Sequence, residues 1–148
     1  MPLELSSPAF EDGDPLPVKY TCDGENVNPP LTISGIPTDT ESLLIICEDI
    51  DDEDDMKTHW MLWAIPPVTL SIGEDEIPDE SMEGYNDFQS IGYKGPCPTE
   101  DEHNYQFRVY ALDIELELDE DVTRTKLEKE IASHILDESV LGCTYQRS

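Results

Sequence analysis

Three side chains in this sequence of 148 residues have the chemistry of a reactive or ligand-binding site: Asp49, His59 and His103. Two imidazoles and a carboxylate are the donor set of non-haem iron and catalytic zinc, and equally the set an acid–base enzyme would use. His59 and His103 are two of only three histidines. Each opens a predicted strand, and Asp49 closes another. Their spacing matches no metal motif, so histidines satisfied by structural partners are the competing reading.

Two further stretches bear on chemistry. The run Glu48-Asp49-Ile50-Asp51-Asp52-Glu53-Asp54-Asp55 has the carboxylate oxygens that calcium requires. It lacks a glycine at the sixth position and no helical pattern follows, so it reads as a solvated acidic loop. Gly95-Pro96-Cys97-Pro98 is a turn of fixed shape. Its glycine permits close backbone approach, and its prolines lower the entropy lost in holding a site ready. No G-x-S-x-G elbow, P-loop, G-x-G-x-x-G or H-E-x-x-H occurs, which removes the usual starting points for hydrolase, nucleotide-binding and zincin functions.

Strands must position these residues. Ser42 to Glu48 is an apolar run suited to a central strand, and Trp60 to Ile65 is another, ended by Pro66 and Pro67. From Asn104, Tyr105, Phe107, Val109 and Ala111 alternate with polar or larger neighbours, and Leu112, Ile114, Leu116 and Leu118 continue the alternation in the opposite phase. The change of phase near Ala111 predicts a bend or bulge. One helix is predicted to begin near Thr125, with Thr125 and Glu128 as a capping box and Leu127, Ile131 and Ile135 on the face turned to the sheet. Residues 66–93 carry Gly73, Gly84 and Gly92 and little periodicity, which predicts a long irregular loop. There is no internal repeat and no linker, so residues 1–148 are expected to form a single domain.

Composition narrows the function further. Thirty-five Asp and Glu against eight Lys and Arg leave a formal net charge of -27, which excludes a generic basic nucleic-acid binder. The acids are dispersed: six from Glu4 to Glu25, nine from Asp39 to Asp55, seven from Glu74 to Asp87 and six from Asp113 to Asp121. A nucleic-acid decoy or a dock for a basic partner would favour one concentrated patch. Even coverage is instead the pattern expected of a halophilic protein in a very salty cytoplasm, because the Debye length falls from about 10 Å at 0.1 M salt to about 3 Å at 1 M. The first twenty residues show no basic n-region or apolar h-region, and no 18-residue apolar run occurs. A cytoplasmic location without an integral membrane segment is therefore expected. Cys22, Cys47, Cys97 and Cys143 include no C-x-x-C pair, and packed free thiols are expected.

Four blocks resemble the signatures of the phosphatidylethanolamine-binding (Raf kinase inhibitor-like) family in its bacterial and archaeal branch. Cys22-Asp23-Gly24 through Asn28-Pro29-Pro30-Leu31 and Gly35-Ile36-Pro37 is similar to its opening block, with Asn28 where Ser is usual and Ile33 where Trp is usual. Glu48-Asp49-Ile50-Asp51 is similar to D-P-D-A-P, and His59-Trp60 with Ile65-Pro66 to the strand that follows it. Gly92-Tyr93-Lys94-Gly95-Pro96-Cys97-Pro98, His103-Asn104-Tyr105 and Tyr110-Ala111-Leu112-Asp113 resemble G-Y-x-G-P-C-P-P, H-R-Y and Y-A-L-D. His134-Ile135-Leu136 through Gly142 and Tyr145 resembles the C-terminal segment. Ile50, Asp52 and Glu53 depart from D-P-D-A-P, and Thr99 to Glu102 replaces a glycine-bearing stretch with one containing three acids.

The resemblance implies a mainly β, β-sandwich-like fold: a large central antiparallel sheet, a second smaller sheet and a peripheral C-terminal helix. It also implies a pocket for phosphate-like anions or phosphoethanolamine-type headgroups, formed by Asp49, His59, Gly95, Pro96, His103 and Tyr105, with no cofactor. In that pocket imidazole N–H groups, the Tyr105 hydroxyl and backbone amides near Gly95 would donate to the anion, and Asp49 would orient a histidine or meet an ammonium group. Both histidines, if near the ordinary value of roughly 6.5, would favour anions as pH falls. Relatives inhibit kinases or proteases, so a protein target is implied, as is a homodimer. Since the resemblance brings Cys22 and Cys97 to loops near the pocket, a bridge between them is the alternative to free thiols. The alternative function is a metal-dependent or acid–base enzyme using Asp49, His59 and His103.

Overall fold

The computed structural model describes residues 2–51, 57–99 and 101–147. Its largest element is a five-stranded sheet built on the two apolar runs. β3 (Ser42–Asp49) and β4 (Thr58–Ile65) pair antiparallel at its centre. β7 (His103–Leu112) pairs with the other edge of β3, and β8 (Ile135–Tyr145) pairs with β7. β6 (Met82–Glu83) adds to β4, giving the order β6-β4-β3-β7-β8. A smaller antiparallel sheet contains β1 (Glu4–Ser6), β2 (Leu31–Ser34) and β5 (Ser71–Ile72) in the order β1-β2-β5. Among the described residues the fold is thus mainly β, with two antiparallel sheets and one α-helix, as expected.

Both faces of the large sheet are covered, which is why β3 reads as an unbroken apolar run and not as an alternation. Leu43, Ile45 and Cys47 face the small sheet and pack with Leu5, Ile33, Ile72, Phe107 and Val109. Leu44 and Ile46 face the other way, into a second cluster with Trp63, Leu127 and Ile131. Leu127 and Ile131 come from α1 (Arg124–Ile131), and burying two such side chains contributes roughly 1.5–3 kcal/mol each.

The details of the helix differ from the expectation. Its N-cap is Thr123, whose hydroxyl accepts from the Lys126 amide at 3.1 Å, so Thr125 lies inside the first turn. It ends at Ile131, where the His134 amide closes a turn onto the Ile131 carbonyl, and Ile135 begins β8. The i+4 spacing of Ile131 and Ile135 is therefore a coincidence across a helix–strand junction. The bulge near Ala111 is present as a register shift between Ala111 and Leu112. β7 ends there; Ile114, Leu116 and Leu118 alternate beyond the sheet and pack against the second cluster. Residues 66–93 are largely irregular apart from β5 and β6.

Cys47 and Cys143 are free and buried, as expected, but Cys22 and Cys97 form a disulfide with Cα atoms 5.4 Å apart. Their loops meet because the 95–98 turn packs on the 20–26 segment. A Cβ on Gly95 would lie 2.2 Å from the Tyr20 carbonyl oxygen, and the Cys22 amide donates to the Pro96 carbonyl at 3.2 Å.

Candidate functional site

The ends of β3, β4 and β7 converge at one edge of the large sheet. Asp49 is in register with Tyr105 on the neighbouring strand. His59 sits one position into β4, and His103 opens β7. Around them lies a cavity of about 310 Å³ lined by Asp49, Lys57, His59, Phe88, Lys94, Gly95, Cys97, Pro98, Thr99, His103 and Tyr105. Five of the six expected site residues line it. Pro96 does not: it is buried in the turn, where its carbonyl holds the Cys22 amide.

Two lining residues had no place in the sequence reading and change the electrostatics. Lys57 and Lys94 are two of only five lysines on a chain of net charge -27. The signal available beforehand was their rarity, together with Lys94 inside the Gly-Tyr-Lys-Gly-Pro block. Phe88 was also missed, and local hydrogen bonding explains how it reaches the site. Asn86 is buried, accepts from the Phe88 amide at 2.9 Å and donates to the Gly92 carbonyl at 3.0 Å, folding residues 86–92 into a tight loop. That loop sets the Phe88 ring 4.8 Å from the His59 ring, centroid to centroid.

The two histidines are not an equivalent pair. His103 Nδ1 lies 2.7 Å from Asp49 Oδ2, and this hydrogen bond to Asp49 raises the His103 pKa above its ordinary value. Asp49 therefore orients His103 and favours its imidazolium form, in which Nε2–H is left to donate. His59 is buried, and desolvation pushes its pKa down. Its Nδ1 lies 2.6 Å from the Lys94 carbonyl, which can only accept, so Nδ1 carries the proton. Tyr105 is 2% exposed, and burial raises its pKa and keeps it a phenol.

The expected anion donors near Gly95 are largely committed elsewhere. The Gly95 amide donates to Asn26 Oδ1 at 2.7 Å, the Lys94 amide donates to the His59 carbonyl at 3.0 Å, and Pro96 has no N–H. The turn shapes the wall; charge and hydrogen bonding come from side chains.

A metal would find a different triad from the expected one. Asp49, Asp51 and His103 offer ligand atoms within 4.8 Å of one another, and His59 is not among them. These atoms already satisfy each other and the backbone: Asp51 accepts from the Asn104 amide at 2.7 Å and from Asn104 Nδ2 at 2.9 Å, tying the end of β3 to the start of β7. Of the acidic run read as a calcium candidate, Asp52 to Asp55 lie outside the described residues. Glu48 points away from it and is buried in an ion pair with Arg124 at 2.8 Å.

Comparison with known proteins matches residues 6–146 to the phosphatidylethanolamine-binding protein family model. A UPF0098 protein of Methanothermobacter thermautotrophicus is 39% identical over 150 residues, 98% of this chain and 99% of the relative. A UPF0098 protein of Pyrococcus horikoshii is 41% identical over 155 residues, 99% of this chain and 78% of the relative. Among solved structures, a phosphatidylethanolamine-binding protein homologue from Chlamydia trachomatis superposes with a TM-score of 0.94 at 36% identity, covering 99% of both chains. Escherichia coli YbcL shares the fold, with a TM-score of 0.92 at 24% identity over 100% of both chains.

Proposed function

The chain belongs to the phosphatidylethanolamine-binding protein family, and on that premise we propose that it is a binding module whose pocket takes small phosphate-like anions or phosphoethanolamine-type headgroups. The observation that carries this reading is the gathering of Lys57, Lys94 and a carboxylate-oriented His103 around one cavity on an otherwise acidic chain. Their positive charges favour an anion beside Asp49, the Tyr105 hydroxyl can add a donor, and Phe88 and Pro98 contribute apolar surface to the lining.

The proposed anion site predicts a pH dependence. The His103 pKa is raised in the folded protein. Its stabilising pairing with Asp49 is therefore fully present below the unfolded value of about 6.5 and is lost as pH rises through the higher folded value. Phosphate, titrated by NMR, is expected to bind about tenfold more tightly at pH 5.5 than at pH 8, the worth of one charge-assisted hydrogen bond. Much of that dependence should vanish in His103→Ala. An unchanged pH profile in the variant would remove His103 from the site.

The acid–base enzyme reading keeps one supporting observation, the Asp49–His103 pair at 2.7 Å, which has the form of an orienting carboxylate and its imidazole. A protein target or a second copy of the chain would find apolar contact on residues 77–91. There Ile77, Met82, Tyr85, Phe88 and Ile91 are each 39–45% exposed.

No helix among the described residues is long and apolar enough to cross a membrane. The proposed cytoplasmic location requires the Cys22–Cys97 disulfide to withstand a reducing compartment. The proposed adaptation to high salt predicts a Tm roughly 5–10 °C higher in 2 M than in 0.1 M KCl, as screening relieves the repulsion among surface acids. Equal melting temperatures would overturn it.

A further inference from the structure

The cavity contains an acceptor as well as donors. His59 is 3% exposed; its Nδ1–H is spent on the Lys94 carbonyl, and Nε2, the other nitrogen of this cavity-lining ring, makes no hydrogen bond to a described residue. In a neutral imidazole with Nδ1 protonated, Nε2 holds a lone pair and can only accept. The Tyr105 hydroxyl likewise has no partner among the described residues, and its ring meets the His59 ring edge-on with centroids 5.4 Å apart. The pocket therefore presents one obligatory acceptor, His59 Nε2, beside a phenol, in a lining that also includes Lys57, Lys94 and His103.

We infer that His59 makes the site selective for a tetrahedral oxyanion that carries a proton, such as hydrogen phosphate or the monoanion of a phosphomonoester, over a fully deprotonated oxyanion of the same shape such as sulfate. The inference rests on the anion-site reading and names its ligand class. Hydrogen phosphate places its P–OH on Nε2 and its bare oxygens toward His103, Tyr105 and the lysines. Sulfate has no proton to give, so an oxygen lone pair would face the nitrogen lone pair at a buried position where water does not screen them.

Burial, and not the charged groups around it, keeps the His59 ring uncharged. Asp49 from β3 and Asp87 from the 86–92 loop pull its pKa up together with the Lys94 and Gly95 carbonyls, but burial outweighs them. Lys57, Lys94 and His103 line the same cavity.

Isothermal titration at pH 7.5 with sodium phosphate and with sodium sulfate at matched ionic strength tests the inference. Phosphate is expected to bind about tenfold or more tightly than sulfate, the worth of one buried hydrogen bond made or missed. In His59→Asn, whose side-chain amide can still donate to the Lys94 carbonyl but lacks the Nε2 acceptor, the preference is expected to collapse toward equality. Equal affinities in the wild-type protein would overturn the inference while leaving the anion site intact. A preference that persists in a folded His59→Asn would overturn the role of His59. Binding of neither anion by the wild-type protein would overturn the anion site itself. Should His59→Asn fail to fold, the wild-type ratio still decides whether the pocket selects a protonated anion.

Discussion

Arg124→Met is expected to lower folding stability by about 3–5 kcal/mol, the range observed when a buried ion pair loses one partner. The cause is Glu48. Its side chain is 4% exposed, on the helix-facing side of β3, and Arg124 reaches it from the first turn of α1 at 2.8 Å. The contact is an ion pair without a well-aligned hydrogen bond, since Glu48 Oε2 has no partner of hydrogen-bond geometry. Arg124 also donates to Thr58 Oγ1 at 3.1 Å and lies 3.0 Å from Glu128, so it joins β3, β4 and the helix. Without it Glu48 must be desolvated alone, on a chain with few other cations. Guanidinium denaturation should show the loss, and adding Glu48→Gln to Arg124→Met should recover most of it. An Arg124→Met protein within 1 kcal/mol of wild type would show that Glu48 finds water or another partner. The same pair removes Glu48 from any cation-binding role for the acidic run that follows it.

The Cys22–Cys97 disulfide is expected to contribute about 4.5 kcal/mol. It closes a loop spanning 75 residues of sequence separation, and the loss of unfolded-chain entropy grows with the logarithm of that length. Denaturation of Cys22→Ser/Cys97→Ser, compared with wild type in the presence and absence of reductant, measures the contribution. The double variant and the reduced wild type should coincide. A difference below about 1 kcal/mol from the oxidised protein would mean that the 95–98 turn is held by Gly95 packing and the Asn26 hydrogen bond alone. Cys97 lines the cavity, so the bridge also fixes one wall of the proposed anion site, and its loss should weaken phosphate binding.

The sequence was most informative where a residue's environment is set by its own strand. The apolar runs of β3 and β4 report burial on both faces, and the alternation from Tyr105 to Ala111, with its change of phase, located β7 and its bulge. It was weakest where the deciding contact is distant or the pattern ambiguous. β8 is the longest strand, yet Ile135, Leu136 and Val140 along it are exposed, so its composition carries little strand signal and its existence depends on pairing with β7. The shift of the helix cap from Thr125 to Thr123 has a local cause, two threonines within one turn of which only one has the extended backbone of a cap.

The amino-acid sequence by itself determined the family, the β architecture and five of the residues that line the pocket, Asp49, His59, Gly95, His103 and Tyr105, because those are carried by residue types in short blocks. Tertiary structure alone decided what each residue does there. His59 and His103 are the same residue type in similar strand positions. One becomes an acceptor at Nε2 because its Nδ1–H donates to a carbonyl 35 residues away and burial disfavours a second proton, and in the other the cationic form is favoured because a carboxylate 54 residues away sits 2.7 Å from its Nδ1. Hydrogen-bond partner and depth of burial set protonation, and both are properties of the folded chain.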